Sequence, residues 1–511
     1  MNKIFSKIKI GLLACLLLAT ASCSDFLNQV PEDSIPSENA LESVEDCKSF
    51  MFGIYSSFKS GLLYSGAGTL MSDIQTDYMY SVKGYSNSYG EVYKWMLTAT
   101  TPEVENIYRA FYVVVSQCNF FFDYKDNVKI YTEDDRATMD KITGEVYFAR
   151  ALAFAELIKY YSEAYDVNNA EKQLGISLAL SYIDRDQQVL RSSLKDSYAQ
   201  VLSDLTQAEK LVQRDVADAI YFTKGAVKTL QARVYLYMQE YEKAVEAASE
   251  VIESGTYTLA DATKFGFADD GGLTLYDPSY YNMFRYDTSN EIIWKVAMSN
   301  TDRGGALGAM FINYNGSIYL PDYVPAQWVL DLYGEYGSRD FRTLLFFSQK
   351  QTGYVHGLSW PLLYKYPGNP NIDAGGRPLF TNMPKVFRFS ELYLIRAEAN
   401  YHLGNEGKAN DDLNALRKKR IQGFGGQSFG GNQLFEQIKK ERTRELYMEG
   451  HRLADLKRWH EGFKREVQAQ TNDHFNELDI PADHVQFTWP IPQHEIDAVP
   501  GIQVNPSNGK R

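Results

Sequence analysis

The residues of this chain best suited to chemistry are flat rings interleaved with hydrogen-bonding groups. Between Asp73 and Trp95, the residues Asp73, Asp77, Tyr78, Tyr80, Tyr85, Asn87, Tyr89 and Trp95 mix rings and polar groups with few aliphatics. A second region places Tyr276, Tyr280, Tyr281, Phe284 and Tyr286 near Asn282 and Asp287, and Tyr314, Tyr319, Tyr323 and Trp328 near Asn313 and Asn315. A pyranose offers C–H faces to rings and hydroxyls to Asp, Asn and Tyr, so a sugar platform needs exposed rings among polar side chains. Any one of these rings would serve equally well in a core, whereas the clustering points to a binding surface. Asp73, Tyr80, Trp95, Tyr281, Tyr314 and Tyr319 are the candidate ligand-binding residues.

Candidate catalysts fare worse. Gly426-Gln-Ser-Phe-Gly430 matches a nucleophile elbow, which would make Ser428 a hydrolase nucleophile. That motif needs a buried strand before the serine, and here Gly423 to Gly431 reads as a glycine-rich link between helices. Glu441, Glu445 and Glu449 fall on one helix face, with Arg442, Arg444, Arg452 and Arg458 within a turn or two. A glycosidase holds two carboxyls facing each other across a sugar, about 5–9.5 Å apart. Carboxylates lined up beside arginines read instead as a structural charge network. No His-Glu-x-x-His, Cys-x-x-Cys, phosphate loop or dinucleotide fingerprint occurs, so no catalytic residue, metal or cofactor is expected. The adjacent acids Asp269 and Asp270 lack the full spacing of a calcium loop, and a structural calcium is left without support.

These side chains must be held by helices. Leu41, Val44, Cys47, Met51, Ile54 and Phe58 recur at steps of three and four, and the same period runs through 102–124, 138–161 and 194–213. Ala232 lies twelve residues before Ala244, with a break at Gln239 to Tyr241, and Ala397 lies twelve before Ala409, with a break at Gly404 to Gly407. Small residues at that interval let antiparallel helices approach closely, the packing logic of tetratricopeptide hairpins. The expected fold is mainly α, a superhelical scaffold of such hairpins carrying an irregular, loop-rich ligand-binding lobe. Hairpins span about 39–255 and 386–462, the inserted lobe about 256–385, and a C-terminal segment 463–511.

Lys3, Lys7 and Lys9 precede an apolar run from Ile10 to Ala19, and small residues lead to Cys23. Residues 1–22 therefore read as a secretory signal, too short to span a membrane. Cys23 is the expected lipidation site and new N-terminus, and 23–38 a polar tether. Removal of 1–22 moves the formal charge from −13 to −16, a sign that disfavours nucleic acid and anionic membrane surfaces as partners. The membrane contact expected is through the acylated end alone. Cys47 and Cys118 permit one disulfide, too few to staple a chain of 511 residues, so stability must come from a packed core.

The most specific sequence is Glu441-Arg-Thr-Arg-Glu-Leu-Tyr-Met-Glu-Gly-His-Arg-Leu-Ala-Asp-Leu-Lys-Arg-Trp459, followed by Trp489-Pro-Ile-Pro-Gln-His-Glu-Ile-Asp497 and Gln503-Val-Asn-Pro506. With Cys23-Ser-Asp-Phe-Leu27, these resemble the signatures of SusD/RagB-type outer-membrane lipoproteins, and Glu145 to Tyr160 and Arg388 to Leu403 extend the likeness. The resemblance implies four tetratricopeptide-like helix pairs and a lipid-anchored lid facing the cell exterior. It further implies a SusC-like TonB-dependent transporter as partner, an oligosaccharide or polysaccharide as cargo, and no catalysis. A peptide-binding lid is the alternative within the family; a secreted hydrolase using Ser428 or a carboxylate pair is the alternative outside it. No ligand-contacting residue is inherited from these motifs.

Overall fold

The computed structural model describes residues 40–84, 88–182, 187–212, 219–348, 359–373, 379–466 and 478–509. The leader, Cys23, the tether, Tyr85 and Asn87 lie outside the described residues. The main helices are α1 (Val44–Phe58), α2 (Ala67–Ile74), α3 (Pro102–Tyr124), α4 (Glu133–Tyr161), α5 (Leu194–Leu211), α6 (Lys224–Tyr237) and α7 (Tyr241–Glu253). After the lobe follow α8 (Phe389–His402), α9 (Glu406–Lys418), α10 (Gly431–Leu446) and α11 (Arg452–Trp459).

Local sequence sets the helix starts. Ser43 with Asp46 and Thr132 with Asp135 form capping boxes at α1 and α4, and Pro102 opens α3. From Gly144 onward α4 is buried on nearly every side, against α1, α3 and α5. A Cβ on Gly144 would lie 2.7 Å from the Leu211 Cβ, so glycine sets how closely α4 meets the end of α5. Ala232, Ala244, Ala397 and Ala409 are all at 0% exposure inside the α6/α7 and α8/α9 hairpins. α8 packs on both α7 and α10, which stacks the hairpins into the expected tetratricopeptide-like scaffold.

The lobe has its own apolar core, and it draws on more than the insertion. Leu70, Ile74, Tyr78 and Tyr93 join Tyr280, Phe284, Phe311, Tyr323, Phe346 and Tyr447 in one buried cluster. The antiparallel ladder Met79↔Pro325, Tyr80↔Val324, Ser81↔Tyr323 ties the early segment to the insertion. A second ladder pairs Ile292–Lys295 with Lys385–Arg388, where the chain enters α8.

Buried ion pairs join lobe to scaffold. Arg342 Nη1 donates to Glu441 (2.7 Å) and Glu445 (3.0 Å), Arg388 to Glu291, Glu445 and Glu449, and Arg420 to Glu291 and Glu445. All these side chains are 6% exposed or less. Burial alone would raise the Glu441 carboxyl, but Arg342, Arg417 and Arg444 outweigh it and hold it down to about 2. The structural role expected for this block holds, with different partners. Of the four arginines read from sequence only Arg444 touches Glu441; Arg442 and Arg458 bond to Asp455, and Arg452 to Asp77. The single helix is also corrected. α10 stops at Leu446, Met448 takes a positive φ of 58°, and a new helix begins at Arg452. Glu449 thereby leaves the face of Glu445 and pairs with Lys365 and Arg388. Cys47 and Cys118 are buried free thiols.

Candidate functional site

The ladder between Met79–Ser81 and Tyr323–Pro325 brings the two ring-rich regions together, and their side chains then part company. Asp73, Tyr80 and Trp95 turn inward, which corrects their placement as ligand-facing groups. Asp73 is at 0% exposure, its Oδ2 accepting from Gly450 N (2.9 Å) and its Oδ1 from Arg452 N (2.8 Å), so it caps the start of α11. Burial pushes its carboxyl up to about 7 in spite of those two donors. The Tyr80 hydroxyl accepts from Glu466 N, and the ring is 5% exposed. Trp95 is 6% exposed, donates from Nε1 to Gln75 O and packs against Phe463, His484 and Phe487. A ring enclosed on its faces has none to offer a sugar. Asp77, Tyr78, Tyr280, Phe284, Asp287 and Tyr323 are likewise buried.

Tyr314 and Tyr319 behave differently. They face each other across an isolated antiparallel bridge, their ring centroids 4.8 Å apart at 40°. The turn between them is built by Asn315, whose Oδ1 accepts from Ser317 N (2.9 Å) and Ile318 N (3.0 Å), and by Gly316 at φ 100°, a conformation open to glycine. Leu320 N closes the hairpin on Asn313 O at 2.8 Å. The Asn315 oxygen is spent on the turn, and the exposed side chains of Asn313 and Asn315 belong to the same hairpin as the two rings. The hairpin is fixed from below: Asp322 N donates to Met310 O, Val82 N to Asp322 O, and the Tyr323 hydroxyl to Ser88 O (2.6 Å). Tyr314 is 40% exposed and Tyr319 half-buried.

Two half-buried indoles hang from the same ladder. Trp328 Nε1 donates to Asp77 O (2.8 Å) and Trp360 Nε1 to Pro325 O (2.9 Å), so both polar tips point inward and part of each ring stays at the surface. Trp360 escaped the sequence reading; its one signal was a tryptophan beside proline inside a polar insertion. Tyr281 is half-buried on the short helix Ser279–Arg285, with its ring 6.4 Å from that of the more exposed Tyr286. The side-chain set is aromatic and amide, with the nearby carboxylate of Asp287 consumed by Asn369, Asn382, Met383 N and Lys385. Such a surface can stack and hydrogen-bond.

The decoy serine sits in an exposed loop between α9 and α10, with no strand before it. Glu441 and Glu445 are sealed at 0% exposure.

A profile of the SusD family matches residues 358–507, and one described as starch-binding associating with outer membrane matches 25–236. SusD-type profiles thus match both the N-terminal and the C-terminal part of the chain. SusD-like protein P25 of Formosa agariphila is 24% identical to it, over 96% of this chain and 95% of its own length. Starch-binding protein SusD of Bacteroides thetaiotaomicron is 34% identical over a shorter stretch, 21% of this chain and 18% of its own. Among solved structures, a SusD superfamily protein from Bacteroides thetaiotaomicron superposes with a TM-score of 0.77 at 24% identity, covering 91% of this chain and all of its own. A putative sugar binding protein from Bacteroides vulgatus gives 0.75 at 23%, covering 91% and 99%. At these identities the structural likeness speaks for the SusD fold.

Proposed function

We propose that this SusD-like chain is a glycan receptor anchored through Cys23 on the exterior of the outer membrane. It captures oligosaccharide on the lobe and passes it, with its bonds intact, to a SusC-like TonB-dependent transporter. The observation that carries this reading is the Tyr314/Tyr319 pair, two rings held partly open on a braced hairpin that also carries exposed amides. Tyr281, Trp328 and Trp360 extend the stacking surface on the same lobe. The rings take the C–H faces of the sugar and the amides take its hydroxyls. Binding by this surface needs no cofactor.

The test is affinity electrophoresis in gels containing plant, host and microbial polysaccharides. The wild-type chain should be retarded by at least one glycan, unchanged by a chelator, and the Tyr314→Ala/Tyr319→Ala chain should run free at unaltered thermal stability. Retardation that survives both substitutions sinks the placement. Co-purified peptide with no response to any glycan would support the peptide-lid alternative instead.

A further inference from the structure

A cleft of about 630 Å³ opens on the scaffold, between the loop that follows α4 and the C-terminal segment. It shares no lining residue with the tyrosine hairpin, and its volume lies within the ~300–1,000 Å³ usual for small-ligand sites.

Two residues in left-handed backbone converge on it. Gln239 (φ 61°) follows α6 and His460 (φ 53°) ends α11, positions where a helix ordinarily takes glycine. A side chain kept where glycine fits better calls for a use of the side chain. Gln239 Nε2 reaches Tyr165 O (3.1 Å) across the cleft mouth.

The floor is the buried amine of Lys457, which burial brings down to about 7. Its Nζ donates to Lys159 O (2.6 Å), in the last turn of α4, and to Ser162 O (2.8 Å), just past the end of that helix. Among the described residues no carboxylate lies at ion-pair distance from it. When protonated it has two of its three N–H donors spent and one left for the cleft it lines; as the neutral amine it offers the cleft its lone pair. The rim is of opposite character, with the carboxylates of Glu163, Asp166 and Asp483. An anion entering would meet the rim acids. A neutral polyhydroxyl ligand donates to those carboxylates and exchanges hydrogen bonds with the Lys457 amine in either protonation state, while Tyr165 and His484 offer ring surface to its C–H faces.

We propose that this cleft is a second saccharide site, for a short neutral oligosaccharide, on the scaffold side of the molecule. It shares with the lobe only the class of ligand.

The experiment uses the mature chain with 15N-labelled histidine, following the imidazole signals of His460 and His484. Maltotriose, cellotriose and xylotriose serve as neutral probes, with trigalacturonate and spermidine as charged ones. At least one neutral trisaccharide should move both signals at millimolar concentration, with about tenfold weaker affinity in Asp483→Ala. Gln239→Gly should raise Tm by about 1–3 °C through relief of the left-handed strain, yet bind at least threefold more weakly. The same shifts should persist in Tyr314→Ala/Tyr319→Ala. Shifts from a charged probe alone, from no probe at all, or lost in that lobe variant overturn the cleft assignment, as does a Gln239→Gly chain that binds unchanged. Failure of the lobe substitutions to alter gel retardation, with cleft shifts intact, would sink the lobe reading alone.

Discussion

The segments Asp73–Trp95 and Asn313–Trp328 have nearly the same composition and opposite fates. Both are rich in tyrosine, both carry a tryptophan, Asp or Asn, and few aliphatics, and they pair strand to strand. In the first, the polar tips find protein partners: Asp73 caps α11, Tyr80 meets Glu466 N, and Trp95 meets Gln75 O. In the second, the turn consumes its own backbone groups and leaves Tyr314 and Asn313 facing solvent. Whether a ring belongs to core or contact surface is decided by who satisfies its neighbours' hydrogen bonds, since a buried polar group must be paired.

The contrast can be broken most forcibly at Trp95. Trp95→Ala should destabilise the chain by ~3–5 kcal/mol through the cavity it leaves, measured by chemical denaturation; a cost below ~1 kcal/mol would return Trp95 to the list of surface rings. Asp73→Ala should cost ~1–3 kcal/mol by orphaning Gly450 N and Arg452 N. Asp73 also gives a pH signature. Its carboxyl sits at about 7 in the folded chain against an ordinary 3.8, so the native state holds the extra proton. The stability it contributes is complete below pH ~4 and lost as pH rises through 7. Tm should fall from pH 5 to 8, less so in Asp73→Asn, and an unchanged slope in that variant would refute the burial account. On the other side, Tyr319→Ala should weaken glycan retention by ~0.5–1.5 kcal/mol, about two- to tenfold. Smallest of all, Tyr314→Ala should move stability by no more than ~0.5 kcal/mol, and a larger loss would mean that the hairpin is core after all.

Much of the scaffold was legible because its causes are local. The three-four spacing of Leu41 to Phe58, the alanine pairs and the breaks at Gln239 and Gly404 each act within a turn or two of their own helix, and the structure places helices and breaks at those points. The charge block shows where such reading ends. That Glu441 and Glu445 need cations follows from sequence; that the cations are Arg342, Arg388, Arg417 and Arg420, up to 103 residues away, does not. The break at Met448 was equally hidden, because a positive φ at a methionine has no local signature. Trp360 was missed for the complementary reason, since its burial depends on Pro325 O, which only the lobe fold brings to it.

The sequence by itself determined the helical scaffold, the acidic balance and, through its C-terminal blocks, the resemblance to the SusD family. Only the tertiary structure decided which tyrosines face outward, which arginines neutralise the buried glutamates, and that Leu70 to Tyr93 belongs to the lobe. Periodicity and capping act over one or two helical turns and are written in neighbouring residues. Burial depends on what the rest of the chain lays over a side chain, and that is settled when distant segments meet.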